Sequence, residues 1–401
     1  MRSPPMTSLT QIADGDERPA AWAAVISLAL GVFGLVTAEF LPVSLLTPMA
    51  ADLGVSSGTA GQAITATALV AMLAGPGIVI GTRRMDRRRV VIGLTLLLAL
   101  SNILSATAQS YGILLLARMA LGLALGGFWA LSAALAMRLV PMHQLARAMA
   151  IILTGVSVAT VCAAPLGAAI GAAWGWRAAF MAAGAVGLVA LAVQVATLPT
   201  LPPAGAPGLR VMFGLTRRLR VRLALLTVVL AISGHFAGFT YIRAYLEAVP
   251  RMSVETISFV LLAFGIGGFL GNLLGGAGAS RSAARTAGTA AFAIAITAFG
   301  LVTLGASVPV AAGLTALWGM AFGALPVSLQ TYMTRAAPDE AESAGALLVS
   351  AFQIAIALGA VAGGLLTDGL GPQGAILLAG AATFLGGITM FGPGRLREAV
   401  A

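Results

Sequence analysis

Glu39 is the one carboxylate of this chain that falls well inside an apolar run. The chain has 13 acidic residues, and the rest fall in tails, in connecting loops or within a few residues of a run's end. An ionised carboxylate at the centre of a membrane helix costs about 2.5–3.5 kcal/mol on insertion scales. Such a group is kept where it faces a cavity and handles a proton, an ion or a charged partner. Glu39 lies about 15 residues into its run, roughly 22 Å deep by helical rise, in the outer half of a ~30 Å hydrocarbon core. A carboxyl in an apolar cavity can load and unload a proton near neutral pH. The alternative is a carboxyl that bonds a polar neighbour and only shapes helix packing. Arg118 enters its own run from the opposite end, about six residues or roughly 9 Å deep, close to the depth of Glu39. His235 sits about 12 residues into a third run, near the midplane by the same rise. There it either titrates and bonds a ligand, or is packed and neutral.

The runs that carry these residues are membrane spans. Of 401 residues, 59% are hydrophobic and 9% charged, against about 25% charged in soluble domains. A crossing helix needs about 20 apolar residues. Runs of that kind lie near 22–48, 58–80, 90–107, 112–137, 146–172, 178–198, 222–246, 256–278, 286–305, 308–334, 342–367 and 373–392. All 23 basic residues are arginine. With the N-terminus inside, 19 of them fall in cytoplasmic segments. Arg177, Arg243 and Arg251 fall on the other side, and Arg118 lies within a span. That bias predicts that both termini are cytoplasmic. It also accounts for the net charge of +10 without nucleic acid, because no aromatic-interleaved basic patch is present. The single Cys162 excludes a disulfide framework. Residues 1–20 lack the apolar core of a signal peptide.

The spans divide six and six. The segment 199–221, rich in Pro and Gly and then basic, reads as a cytoplasmic linker. It separates a bundle over 22–198 from one over 222–393, with tails at 1–21 and 394–401. A shift of 197 superposes the halves: Gly81, Arg84 and Arg88 fall on Gly278, Arg281 and Arg285. Gly122, Gly126, Arg138, Pro141 and Gly167 fall on Gly319, Gly323, Arg335, Pro338 and Gly364. Loop residues match at the same shift as span residues. Six spans per repeat give parallel repeats about an axis along the membrane normal, the plan of a transporter with its site between two bundles.

Four stretches give the chain a resemblance to the major facilitator superfamily. Span 4 carries Arg118-Met119-Ala120-Leu121-Gly122 and then Gly126. Span 5 carries Gly155 and Ala164-Pro165-Leu166-Gly167, similar to the antiporter motif of drug-efflux branches. The loop between spans 5 and 6 reads Trp174-Gly175-Trp176-Arg177. The loop between spans 2 and 3, with Gly81, Asp86 and Arg87, occupies the place of the superfamily's loop motif. It lacks the inner glycine and displaces the acid by one position, which leaves open the gating salt bridge of that motif. Within the superfamily, Thr37–Ala50, Leu123–Ala130 and Phe239–Arg243 resemble bacterial purine ribonucleoside exporters. Sugar and arabinose exporters share weaker versions.

The resemblance implies an all-α integral membrane protein, twelve transmembrane helices in two six-helix bundles with pseudo-twofold symmetry. Spans 1 and 4 line the central cavity in this family, so Glu39, Arg118 and His235 become the proton-coupling candidates. Protonating Glu39 releases Arg118, a local charge event that biases a two-state element. Phe40, Trp129, Tyr241, Arg243, Gln330 and Gln353 are the substrate-cavity candidates. Gly81, Asp86, Arg87, Gly122, Gly126, Gly155, Pro165 and Gly167 are conformational.

The expected function is proton antiport that exports small hydrophilic solutes by alternating access, purine ribonucleosides first. Sugar or drug efflux, chloramphenicol for example, is the alternative, and a non-transporting sensor or scaffold a remote one. The expected partners are substrate, protons and the bilayer of the bacterial inner membrane, with a monomeric protein. No cofactor or metal is expected. The two histidines, His143 in a loop and His235 in a span, and the lack of a Walker loop or nucleophile elbow make an enzyme unexpected.

Overall fold

The computed structural model describes residues 20–141, 144–203 and 214–391. His143, nearly all of the N-terminal tail, the C-terminal tail and residues 204–213 of the linker lie outside them.

Backbone polar groups have no water to bond in hydrocarbon, so each apolar run closes its hydrogen bonds on itself as a helix. Spans 1 to 6 are the helices Trp22–Leu53, Ser57–Gly81, Arg87–Ala106, Tyr111–Leu139, Leu145–Trp174 and Trp176–Thr197. Side chains mark several starts. Asp86 caps span 3 by accepting from the Arg88 N–H at 2.8 Å, and Ser110 caps span 4. Gly54 closes span 1 in the left-handed conformation, φ 65°, where a side chain would be strained.

The second half is less regular. Span 7 is built of Leu219–Thr227, a π-helical turn Val228–Ile232, Ser233–Phe239 and, beyond a break at Thr240 and Tyr241, Ile242–Ala248. Spans 8 and 9 form one helix, Val254–Leu304, of 51 residues, bent where Ser282 leaves helical geometry (φ −154°, ψ 105°). Spans 10 to 12 are Val308–Ala336, Ala341–Leu370 and Pro372–Thr389. Among the described residues eleven helices qualify as crossings by length and composition, and the bent one holds two. The result is the expected fold, twelve helices in two six-helix bundles.

The repeat is visible in the packing. Gly122 and Gly126 of span 4 sit against the backbone at Thr67 and Ala71 of span 2. Their counterparts Gly319 and Gly323 of span 10 sit against the backbone at Phe264 and Gly268 of span 8, each 197 residues on. Gly167 abuts Ser44 as Gly364 abuts Tyr241, at the same shift. Small residues let helix backbones approach in lipid, where apolar burial alone gives no drive.

The halves meet along span 2 with span 11 and span 5 with span 8. The hydrogen bonds that tie them gather at the end opposite the chain termini. There Tyr241 Oη donates to the carbonyls of Ala360 (2.7 Å) and Gly58 (3.3 Å). Gln62 also donates to Ala360, and Asp368 accepts from Gly58 N (2.9 Å) and Ser56 Oγ (2.6 Å). Arg243 donates to the Ser44 carbonyl and pairs with Glu247 (2.8 Å), which accepts from Thr47 (2.5 Å). At the other end the ties stay within a half. Arg138 and Asp86 hold the linker's first residues, Pro202 and Leu201. Arg218 makes a two-pronged pair with Asp339 at 2.6 Å.

Candidate functional site

Spans 1 and 4 of the first half and spans 7 and 10 of the second occupy equivalent places in the repeat. On span 1, Glu39 is half-buried and faces the charge of Arg118. Among the described residues no hydrogen bond or ion pair reaches its carboxyl. Arg118, 1% exposed, reaches from span 4 to donate Nη2 to the carbonyl of Ala38 at 2.9 Å. Its guanidinium lies 5.7 Å from the centroid of the Phe180 ring, and its Nε has no partner among the described residues. Among the described residues, a buried cation is thus held by one carbonyl and a ring face, next to a carboxyl with nothing bonded to it. Such a carboxyl can change protonation without breaking a hydrogen bond to any described residue, close to a fixed positive charge.

The second half answers this with different chemistry at the same positions. His235 stands where Ala38 stands, and Phe236 where Glu39 stands, at the shift of 197. Arg118 itself falls on Thr315; it is Trp318, three residues further along span 10, that donates Nε1 to His235 Nδ1 at 2.9 Å. His235 is fully buried, and its Nε2 has no partner. Accepting at Nδ1 sets the neutral tautomer with its proton on Nε2. Its ring stacks on Phe322, 3.5 Å between centroids and 6° between planes. The sequence reading missed the phenylalanines around it, because they come from spans 7, 8 and 10.

The other residues singled out in the sequence divide among three places. Phe40 is half-buried between the halves and packs against the cores of both. Trp129 packs against the core of the first half. Gln353 is 7% exposed with an unpartnered Oε1, whereas Gln330 is exposed. Tyr241 and Arg243 belong to the ties at the far end and are buried there. Arg87 is buried at the other end, donating to Thr82 Oγ1 at 2.8 Å, and Gly81 has open space beside it. Gly155 abuts the span 1 backbone at Ala29, and Pro165 is buried inside span 5. The structure therefore brings together Glu39, Arg118 and Phe40 with the His235 cluster, and sets Tyr241 and Arg243 at one end of the molecule and Gly81, Asp86 and Arg87 at the other.

A model of the Major Facilitator Superfamily matches residues 28–348 and 251–399. The chain belongs to the major facilitator superfamily. It is 42% identical over 368 residues to the purine ribonucleoside efflux pump NepI of Escherichia coli O157:H7, covering 92% of this chain and 93% of that protein. It is 41% identical to the protein of the same name from Salmonella typhimurium strain LT2. Among solved structures it resembles a bacterial homolog of the human lysosomal transporter Spinster, in an inward-facing and occupied conformation. The TM-score is 0.78 at 16% identity, over 96% of this chain and 99% of that one. The human organic anion transporter MFSD10 gives a TM-score of 0.65 at 17% identity, over 92% and 98%. At such identities the likeness is one of fold. This superfamily member is a multi-pass membrane transporter, and its two bundles place the span 1, 4, 7 and 10 residues at their common centre.

Proposed function

We propose that the protein exports purine ribonucleosides from the bacterial cytoplasm in exchange for protons, as a monomer in the inner membrane with both termini cytoplasmic. The observation that carries the coupling is Glu39: half-buried, free of hydrogen bonds among the described residues, and beside the buried charge of Arg118. The substrate class rests on the relatives, which are named as purine ribonucleoside pumps. The orientation rests on the 19 arginines that fall on the terminal side.

With that orientation the far-end ties close the periplasmic mouth, and the described state is inward-facing. The bundles 22–198 and 222–393 rock about the centre, joined by the linker 199–221. When the inner mouth is open, substrate enters and Glu39 gives up its proton to the cytoplasm. The deprotonated carboxylate then attracts Arg118 most strongly. After the halves rock, the outer ties break, substrate leaves, and Glu39 takes a proton from outside. Neutral Glu39 loosens Arg118 from the cavity side and favours the return. Gln353, with its unpartnered amide oxygen, is a fitting contact for a ribose hydroxyl. Tyr241 and Arg243 close the site from above, and Trp129 and Gln330 stand nearer the inner mouth.

The test is efflux of radiolabelled inosine from cells that express the protein, with and without a protonophore. Export that collapses with the gradient supports the reading, and export untouched by the protonophore refutes proton antiport. Parallel assays with arabinose and chloramphenicol separate nucleoside efflux from sugar or drug efflux.

A further inference from the structure

The coupling scheme leaves the aromatic residues at the centre of the molecule without a role. They form one connected set. His235 stacks on Phe322 and, at 5.1 Å and 17°, on Phe239. Phe239 stacks on Phe264 at 4.4 Å and 18°. Phe236 stands edge-on to Phe322 (6.1 Å, 89°) and parallel to Phe40 (6.3 Å, 5°). Phe40 stands edge-on to Phe239 (6.3 Å, 79°). Every ring but Phe40 belongs to the second half.

Burial divides the set in a way that packing alone does not require. His235, Phe236, Phe239 and Phe264 are buried. Phe40 and Phe322 are half-buried and come from opposite halves; each lies against Phe236, the one parallel to it and the other edge-on, so their own planes stand nearly at right angles. Phe322 is fixed from behind, since its ring lies on His235, whose own plane is pinned by the Trp318 bond. Phe40 follows Glu39, so helical geometry turns its ring about 100° away from the carboxyl, and the ring lies against Phe236 of the other half.

We propose that Phe322 and Phe40 form a clamp for the heteroaromatic base of the substrate: Phe322 offers the face on which the base stacks, and Phe40, standing at right angles to it across Phe236, is the wall that the base meets edge-on. This rests on the purine ribonucleoside reading and deepens it. A flat base presents π-faces, and aromatic side chains stack on them with little regard to the base's edge. The clamp therefore selects for a planar heteroaromatic group over a bare sugar. His235 is a positioning residue: its stack and its bond to Trp318 hold Phe322 ready, which spares ordering cost on binding. The second half offers ring surface where the first half offers the carboxyl, so base and proton are handled on facing sides of one centre.

The experiment is inosine accumulation in everted vesicles, where export runs inward, by wild type and by F40L, F322L, F40W and F322Y, at matched amounts of folded protein. The leucine variants keep apolar bulk and lose the π-face. F322L is expected to raise KM about tenfold, within the range that base stacking is worth, and F40L about threefold, as an edge-on aromatic contact is worth, with kcat little changed in both. The tryptophan and tyrosine variants are expected to stay within about twofold of wild type, because they keep a π-face. His235→Ala is expected to raise KM, and His235→Phe, which keeps the stack on Phe322, to restore it. Leucine variants with wild-type KM overturn the clamp while leaving the substrate reading in place. A wild-type protein that moves no inosine rejects the substrate reading and the clamp with it.

Discussion

Glu39 carries the largest single prediction. Glu39→Gln keeps the shape of the side chain and removes its titration. In proteoliposomes, substrate-stimulated proton movement is expected to vanish while the protein elutes and melts like wild type. Full gradient-driven export by that variant would return Glu39 to a packing role. The candidacy of this residue was legible in the chain, because an isolated acid in apolar sequence is costly and visible without any contact information. Its neighbour Arg118 was legible by depth. The bond that Arg118 makes was not, because its acceptor is the backbone carbonyl of Ala38, and a carbonyl has no signature in sequence. His235 was legible as a polar residue in a span, but not as the back plate of an aromatic stack. Its partners Phe264, Trp318 and Phe322 lie far along the chain, and only the fold brings them together.

At the scale of elements, the far-end closure joins span 2 to spans 7 and 11, and span 7 to span 1. Tyr241→Phe removes a hydroxyl that bonds both halves. Losing about 1 kcal/mol of hydrogen bonding shifts the balance between inward- and outward-facing states about fivefold. Asp368→Asn removes the negative charge that the second half places at the N-terminus of span 2, worth about 0.3–1 kcal/mol. Both variants are expected to populate the outward-facing state more. Distance distributions between spin labels on the outer ends of spans 2 and 11 measure this, and distributions identical to wild type count against the closure as described. The sequence pointed to Tyr241 and Arg243 as cavity residues. Span 7 breaks at Thr240 and Tyr241 after its π-helical turn, and nothing in its apolar run announces that break.

Across the whole molecule, the repeat predicts equal costs at equivalent sites. Gly126 and Gly323 face backbone across the same kind of helix pair. Gly126→Ala and Gly323→Ala are each expected to destabilise by about 1–3 kcal/mol through overpacking, whereas Gly81→Ala, with open space beside it, is near neutral. Thermal unfolding in detergent compares them. The loop pair Arg218–Asp339 answers to pH in a known direction. The Arg218 guanidinium holds the Asp339 carboxyl down to about 2 from its ordinary 3.8, so the pair's contribution is complete above about pH 4 and fades only as pH falls toward 2. Asp339→Asn is therefore expected to leave the shape of the export profile between about pH 5 and 8 unchanged. A shifted profile would assign that loop a part in coupling. The span count and the two-bundle plan were legible because hydrocarbon forces helices and the repeat reaches into the loops. The single helix over spans 8 and 9 was not, because Ser282 bends the chain without ending it. The closure, finally, grips main chain more than side chain: the carbonyls of Gly58, Ala360 and Ser44 and the amide of Gly58 receive most of its bonds. A grip of that kind asks the gripped side for no particular functional group, and at Gly58 it asks for no side chain at all, because a Cβ there would run into the Gly364 carbonyl and the Asp368 carboxylate. Matched pairs of polar substitutions will therefore not betray this contact in related chains, and no second-site replacement of a gripped residue will repair the loss of Tyr241.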